Sequence, residues 1–501
     1  MLRAAWPCHT AAVLRLSLIA IVCAGALARA DYMDHFVVRE DVGPHKAPYL
    51  GDTKVLLIPI EVAGHPPIDE AALRHFFSPD DPNGFVHFYE TASLGRFRPR
   101  VTVAPKVMYA SCPLPAAQFP TCSVERGDIT AFTAGMDMMR EVIKKTDEAG
   151  FDFAPFDING RKGVADGWID GVMLLTNVPF GGIAFPFAFF NRGDNLNGGT
   201  SGPLIVDGIK IGHMAIAGEN DQFTMVHEFG HLLGLTDLYD ESGKYDGLYL
   251  SWMGTWGYDA NIPLPDAETR YRLRWANWHQ VQGRERVTIK PAETSGEVYR
   301  LGTGDEYFLI ENRGPGGEFD KSLPERGLAV FHVDRKTKLG GVEGNFVDRI
   351  LDCVNCDPYH PYIRLLQADG LFEIERNGKF GKGDLFGTGA FLRPDPRGIP
   401  LSNVNEVNST NFYSGMASGL RMDDVRVNAD GSIEVTLDAP ETGQCEEKLC
   451  ADGEGCAPVT CGAPPEEKKG CSATGALFPA LALLLLEQGF RRRHQRFARG
   501  A

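Results

Sequence analysis

The stretch Gln222 to Asp240, QFTMVHEFGHLLGLTDLYD, constrains this chain more than any other part of it. It carries H-E-x-x-H at His227, Glu228 and His231. Phe223, Val226, Phe229 and Leu233 recur at helical spacing, so the stretch predicts a helix with both histidines on one face. Two imidazoles so placed can bind one zinc ion at about 2.0–2.1 Å. Glu228 then sits beside the metal rather than on it, where it can take a proton from a water that the metal acidifies. The bland alternative is a buried helix with two hydrogen-bonded core histidines.

A third protein ligand is needed, and two routes exist. One takes a glutamate from a second helix some twenty residues on. Ser251 stands at that distance, and Glu268 lies farther. The other continues the motif as H-E-x-x-H-x-x-G-x-x-[H/D], and here Gly234 and Asp237 are in register. Gly234 can take positive φ, end the helix and turn the chain back. Asp237 can then supply a carboxylate oxygen at about 2.0–2.2 Å, and the spacing favours it as the third ligand. Metzincin-type sites pair this extended motif with a methionine turn under the metal. Met253 in SWMGTWG, residues 251–257, is placed to be that methionine; the alternative is an ordinary core methionine.

Around this stretch the pattern predicts an α/β region over residues 51–285. Lys54 to Val62 and Trp168 to Thr176 are apolar runs of strand length, and Asp69–Phe77 and Ala131–Ala149 have helical spacing. Residues 286–438 carry short β-like runs with glycine turns, such as YFLIEN, GLAVFHV and SIEVTL, and predict a second, mostly β domain. The expected fold class is therefore α/β (α+β): a mixed domain that carries the histidine motif, followed by a mostly β C-terminal domain.

The two ends read differently. Residues 1–30 combine Arg3, Arg15 and Arg29, an apolar run and a small-residue end, which predicts a secretory signal peptide cleaved before Asp31. Residues 31–50 form a short segment before the first strand. Residues 439–470 are rich in Glu, Gly, Pro and Cys and predict a stapled linker. From Cys471 a short apolar run leads to Arg491, Arg492, Arg493, Arg496 and Arg499. This tail, 471–501, resembles the myxobacterial-type C-terminal sorting tail, which implies display at the cell surface or release; a plain membrane anchor is the alternative. The net charge of −16 becomes −23 once both ends are removed, which excludes nucleic acid as a main partner. Cysteine use fits export. Cys112 and Cys122 lie ten apart, Cys353 and Cys356 form C-x-x-C, and four more cluster at 445–461, so disulfides are expected, with the pairing in the cluster left open.

The chain resembles the immune inhibitor A family of bacterial secreted zinc metallopeptidases. The matching pieces run in order: VLLIPIEV, FYETASLGRF, DGWIDGVMLL, HEFGHLLGLTDLYD, WMG and RLRWANW, then YFLIENR, GEFDKSLPERGLAVFHVD, LLQADG and GDLF in the β region. The resemblance spans about residues 50–438. It implies a metzincin-like domain cleaving protein or peptide substrates, with His227, His231 and Asp237 on zinc and Glu228 as base. Two rival functions stay open: a surface-displayed binding module with a structural metal site, and a zinc hydrolase of cell-wall peptides. An intact Glu228 argues against the first, since a structural zinc site has no need of it. Asp157, Asn159, Asp166 and Asp170 resemble a calcium-type loop, although Arg161 stands where a ligand is wanted; a solvated acidic turn is the alternative. His332 and Asp334 read as structural.

Overall fold

The computed structural model describes residues 47–113, 129–159, 163–178, 183–186, 204–218, 222–235, 237–239, 248–254, 262–335, 355, 360–376, 380–395 and 408–439, with the backbone alone at 129–137, 183–186 and 222–223. All of them lie in the unit Met1–Ala457. The expected signal peptide, linker and tail fall outside them. Among the described residues no helix is long and apolar enough to cross a membrane.

The first sheet is built on β1 (Gly51–Val62). Its apolar run is continuous because both faces are covered, as in parallel sheets generally. β1 pairs in parallel with β2 (Phe97–Val103) on one side and with β4 (Gly171–Thr176) on the other, and β3 (Val107–Tyr109) continues the ladder beyond β2. β4 pairs in parallel with β8 (His213–Gly218), and β5 (Ile183–Pro186) closes the edge antiparallel to β8. A small hairpin, β6 (Leu204–Val206) and β7 (Ile209–Ile211), stands apart.

Strand residues alternate faces, and the two faces of this sheet feed different cores. Val55, Leu57, Met173, Leu175, Ala215 and Ala217 pack under α1 (Glu70–Phe76), α2 (Phe85–Ala92) and α4 (Gln222–Leu232). Leu56, Ile58, Val172, Leu174 and Ile216 pack against Met139, Val142 and Ile143 of α3 (Ile129–Glu148). Asp69 caps α1, its Oδ1 accepting the N–H groups of Ala71 and Ala72 at 3.0 Å, as its position before the helix suggests. The expected strand at Trp168 begins later, at Gly171, because the Asp170 carboxylate rather than a strand neighbour takes the Lys54 N–H.

The second half supplies two further sheets, joined to the first by α5 (Ala267–Arg272). β9 (Asn277–Gln280) and β10 (Gly283–Ile289) are followed by the short helix α6 (Ala292–Ser295). Then come β11 (Glu297–Leu301), β12 (Glu306–Arg313), β13 (Gly327–Asp334) and β14 (Ile363–Leu366), and last β15 (Arg421–Val427) and β16 (Ile433–Ala439). The five-stranded sheet runs β14-β13-β12-β11-β9 and the three-stranded one β10-β16-β15. Alternation again divides the work. Tyr307, Leu309, Phe331, Val333 and Leu365 join the cluster that holds α2 and α4, whereas Phe308, Ile310, Leu328 and Val330 pack against the three-stranded sheet. Residues on both sides of 285 thus share one apolar core.

Candidate metal centre

Helix α4 is held along its buried side before any metal is considered. Phe229 packs on Gly171 at the start of β4, where a Cβ would stand 3.3 Å from the ring. Tyr89 of α2 donates its hydroxyl to the Val226 carbonyl at 2.7 Å. The four-residue spacing then sets His227 and His231 on one face, ring centroids 5.0 Å apart and nearly perpendicular. The helix ends as the glycine suggested. Gly234 has φ +89°, its N–H donates to the His231 carbonyl at 2.9 Å, and Leu235 N–H donates to the Gly230 carbonyl at 3.1 Å. That pair of bonds is a Schellman stop, which turns the chain back along the helix. Asp237 consequently returns to the histidines. Its Oδ1 lies 2.9 Å from Nε2 of His227 and 3.4 Å from Nε2 of His231.

The outer nitrogens explain the orientation of the rings. Nδ1 of His227 lies 2.9 Å from the Trp252 carbonyl, and Nδ1 of His231 lies 2.9 Å from the Leu235 carbonyl. A carbonyl only accepts, so each Nδ1 carries a proton, and Nε2 is the nitrogen each ring turns towards Asp237. Ligands about 2.0–2.1 Å from a tetrahedral ion stand about 3.3 Å apart, close to the separations found here. The three side chains form a group that could hold a metal ion, each with one ligand atom within 4.8 Å of the others. Tyr239 lies nearly parallel to the His227 ring, centroids 6.1 Å apart.

The turn at residues 251–254 passes beneath the helix. A Cβ on Gly230 would stand 2.6 Å from Met253 Sδ and 2.7 Å from Trp252 Nε1, so the helix and turn meet where glycine alone fits. Met253 is wholly buried there. A Cβ on Gly254 would strike the Leu248 carbonyl at 2.3 Å. Leu238 N–H donates to the Met253 carbonyl at 2.8 Å, which ties the chain just after Asp237 to the same turn. From the β-rich half, Arg313 of β12 donates to the carbonyls of Leu250 and Leu264, both at 3.2 Å. Its guanidinium also pairs with Glu311 at 2.9 Å and Asp320 at 2.5 Å, and Arg270 pairs with Glu311 from α5. These contacts carry the turn on a buried ionic framework. Neither Gly230 nor this framework is visible in the motif spacing.

Glu228 is buried, one residue beyond His227. Burial opposes the charge on His231, yet the Asp237 carboxylate, aided by Glu228, holds its pKa up at about 9. Burial likewise disfavours ionised Asp237, but the two imidazoles outweigh it and hold the carboxyl well below the usual range. Glu268, the other acidic candidate, is occupied elsewhere: Tyr307 and Tyr362 donate their hydroxyls to it at 2.7 and 2.8 Å.

The acidic residues expected of a calcium-type loop lie on either side of residues 160–162, which are outside the described residues. Asp157 accepts the N–H groups of Asp166 and Gly167, and Asp166 accepts that of Trp168. Asp170 accepts those of Lys54, Ile158 and Asn159, while Asn159 donates to the Leu50 carbonyl and to Thr53. Among the described residues Asp157, Asp166 and Asp170 do not form a three-residue metal-ligand group, and the oxygens named here accept backbone amides. His332 stacks between Phe308 and Tyr413, both centroids at 4.3 Å, with Glu306 2.9 Å from its Nε2, a packed and paired core histidine. His360 pairs with Asp334 at 2.8 Å. Cys112 is disulfide-bonded; Cys122, Cys353 and Cys356 lie outside the described residues. Asn355, between the last two, donates to the Leu238 carbonyl at 3.1 Å.

No protein-family model and no curated protein matches the chain. Solved structures give faint likenesses. The crystal structure of wild type OgpA from Akkermansia muciniphila is 13% identical, covers 62% of this chain and 91% of that one, and has a TM-score of 0.24. A catalytic inactive OgpA from Akkermansia muciniphila, in complex with an O-glycopeptide (glycodrosocin) substrate, gives 12%, 62%, 91% and 0.21. Likenesses at these scores carry no argument about fold or activity.

Proposed function

We propose that the chain is an exported zinc-dependent endopeptidase with a metzincin-like catalytic domain, related to the immune inhibitor A family. One observation carries the reading: Nε2 of His227, Nε2 of His231 and Oδ1 of Asp237 converge while both Nδ1 atoms are tied to carbonyls. These three residues would hold the ion. Bound there, zinc supplies a Lewis acid for the scissile carbonyl and acidifies a water. Glu228 does the proton work. Its carboxylate takes the proton of the attacking water and passes it to the leaving amine. Burial keeps that carboxylate out of bulk solvent, where a fixed base acts most effectively. Among the described residues strand β5 is the edge of the sheet, a position where an extended peptide substrate would add as a strand. Cys122 is the partner we assign to Cys112.

The test is a casein-type proteolysis assay on residues 31–470, with Glu228→Gln run alongside and zinc content read on both. Chelator-sensitive activity, absent from a variant that keeps its zinc, supports the reading. A fully active variant removes Glu228 as base. Absence of zinc from the wild-type chain overturns the proposal and leaves His227, His231 and Asp237 as an ion-paired triad.

A further inference from the structure

A second group of carboxylates lies in the β-rich half, away from the histidines. Asp369, Glu373 and Asp384 each bring one oxygen within 4.8 Å of the others. Local hydrogen bonds preset all three. Asp369 Oδ1 accepts the Leu371 N–H at 2.9 Å, Glu373 N–H donates to Gln367 Oε1 at 2.9 Å, and Asp384 Oδ2 accepts the Gly381 N–H at 2.6 Å. Gly383 has φ +109°, and a Cβ there would stand 3.2 Å from Asp369 Oδ2, so glycine lets the two segments close on each other.

The cluster is not balanced by the protein. Asp384 is 2% exposed, and its Oδ1 is buried without a hydrogen-bond partner among the described residues. Glu373 Oε2 is buried in the same condition. A fourth carboxylate, Glu325, adjoins the group and accepts the N–H groups of Gly383 and Leu385. No lysine or arginine among the described residues forms an ion pair with any of the three. Burial, with Asp369, Glu373 and Glu325 nearby, pushes the Asp384 carboxyl up to about 7 against the pull of the Gly381 amide. A buried carboxylate oxygen with no donor is costly, and several like charges add to the cost. A hard cation removes both penalties. The donors are all oxygen, with no histidine or cysteine, which selects calcium or magnesium over zinc, and irregular carboxylate groups suit calcium.

We infer that Asp369, Glu373 and Asp384 form a calcium site that clamps the turn after β14 to the segment 381–386. Phe386 of that segment exchanges backbone hydrogen bonds with Leu328 of β13, both at 3.0 Å. The site thus fastens the end of β14 to the neighbouring strand. The other end of β14 reaches the metal centre, because Ile363 N–H donates to Asn355, which holds Leu238.

The experiment uses the purified full chain, stripped of metal and reloaded with zinc alone. Calcium titrated by calorimetry should bind, and should raise the melting temperature by about 3 °C or more at saturating concentration. Asp384→Asn should lose one bound calcium per chain and most of that rise. Without calcium, Asp384→Asn should melt no lower than the wild type, because it removes one of the crowded charges; this also checks that the variant folds. Glu373→Gln should weaken calcium binding at least tenfold. An unchanged calcium response in Asp384→Asn, no response in the wild type, or a larger shift with magnesium would each overturn the assignment. The outcome is independent of proteolysis, so it can fail while the peptidase reading stands, and the converse.

Discussion

The carbonyl oxygen of Trp252 accepts the Nδ1 proton of His227 at 2.9 Å, across 25 residues of sequence. That bond fixes the tilt of the ring whose Nε2 faces Asp237. The same tryptophan presents Nε1 to the space where a side chain on Gly230 would begin. One residue thus aims a histidine and limits the helix that bears it.

Gly230→Ala separates two effects of opposite sign. Helix propensity alone would stabilise the variant by about 1 kcal/mol. The clash with Met253 Sδ and Trp252 Nε1 predicts instead a loss of about 1–3 kcal/mol, with reduced zinc occupancy as the turn shifts. Urea unfolding and metal content check it together. A more stable variant with full zinc would mean that the turn gives way freely.

Asp237→Ala should lose most of its zinc, at least tenfold in affinity. Glu268→Gln should keep its zinc, because Glu268 is engaged by Tyr307 and Tyr362 instead. It should still cost about 1–3 kcal/mol, since the exchange weakens two buried hydrogen bonds. Metal analysis of the two proteins side by side decides which acid is the ligand.

How much of this was legible in the residues depends on how far apart the cause and effect lie. Gly234 and Asp237 could be read because helix end and return are local, and the positive φ of Gly234 follows from its place in the motif. Gly230 could not be read that way, because its need comes from a turn more than twenty residues on. The acids at 157–170 show a different limit. Spacing reveals that carboxylates gather in a segment, but not whether they face a cation or cap amides, and Asp170 caps three. Helix α2 escaped notice because it starts after Gly84 with no side-chain cap to announce it. The strands β12, β13 and β16 fall on the apolar runs picked out for them, since alternation and length are properties of the run itself.

Glu311→Gln tests the ionic framework beneath the turn. The change leaves Arg270 and Arg313 buried with a weakened partner. A loss of about 3–5 kcal/mol is expected, read as a drop in the chemical denaturation midpoint. A loss below about 0.5 kcal/mol, the size of a typical surface change, would mean that solvent reaches the pair.

Asp170 should titrate near pH 6, because burial raises its carboxyl to about 6 against the pull of three amides. In the unfolded chain it titrates near 3.8. The folded state therefore holds the proton more tightly, and this group's contribution to stability is full below about pH 3.8 and lost as the pH rises through about 6. Carbon-13 NMR of the Asp170 carboxyl checks the value directly. A midpoint below pH 4 would mean that the amides outweigh burial.

The core shared across residue 285 bears on how such a chain can diversify. Arg313 reaches from β12 to the Leu250 carbonyl, two residues before the tryptophan that aims His227. The β-rich half is therefore a poor unit for recombination. A graft that replaced it with a foreign module would sever the support of the 251–254 turn even with every motif residue intact. Lineages built on this plan should vary by insertion into surface loops, while the two halves pass on together.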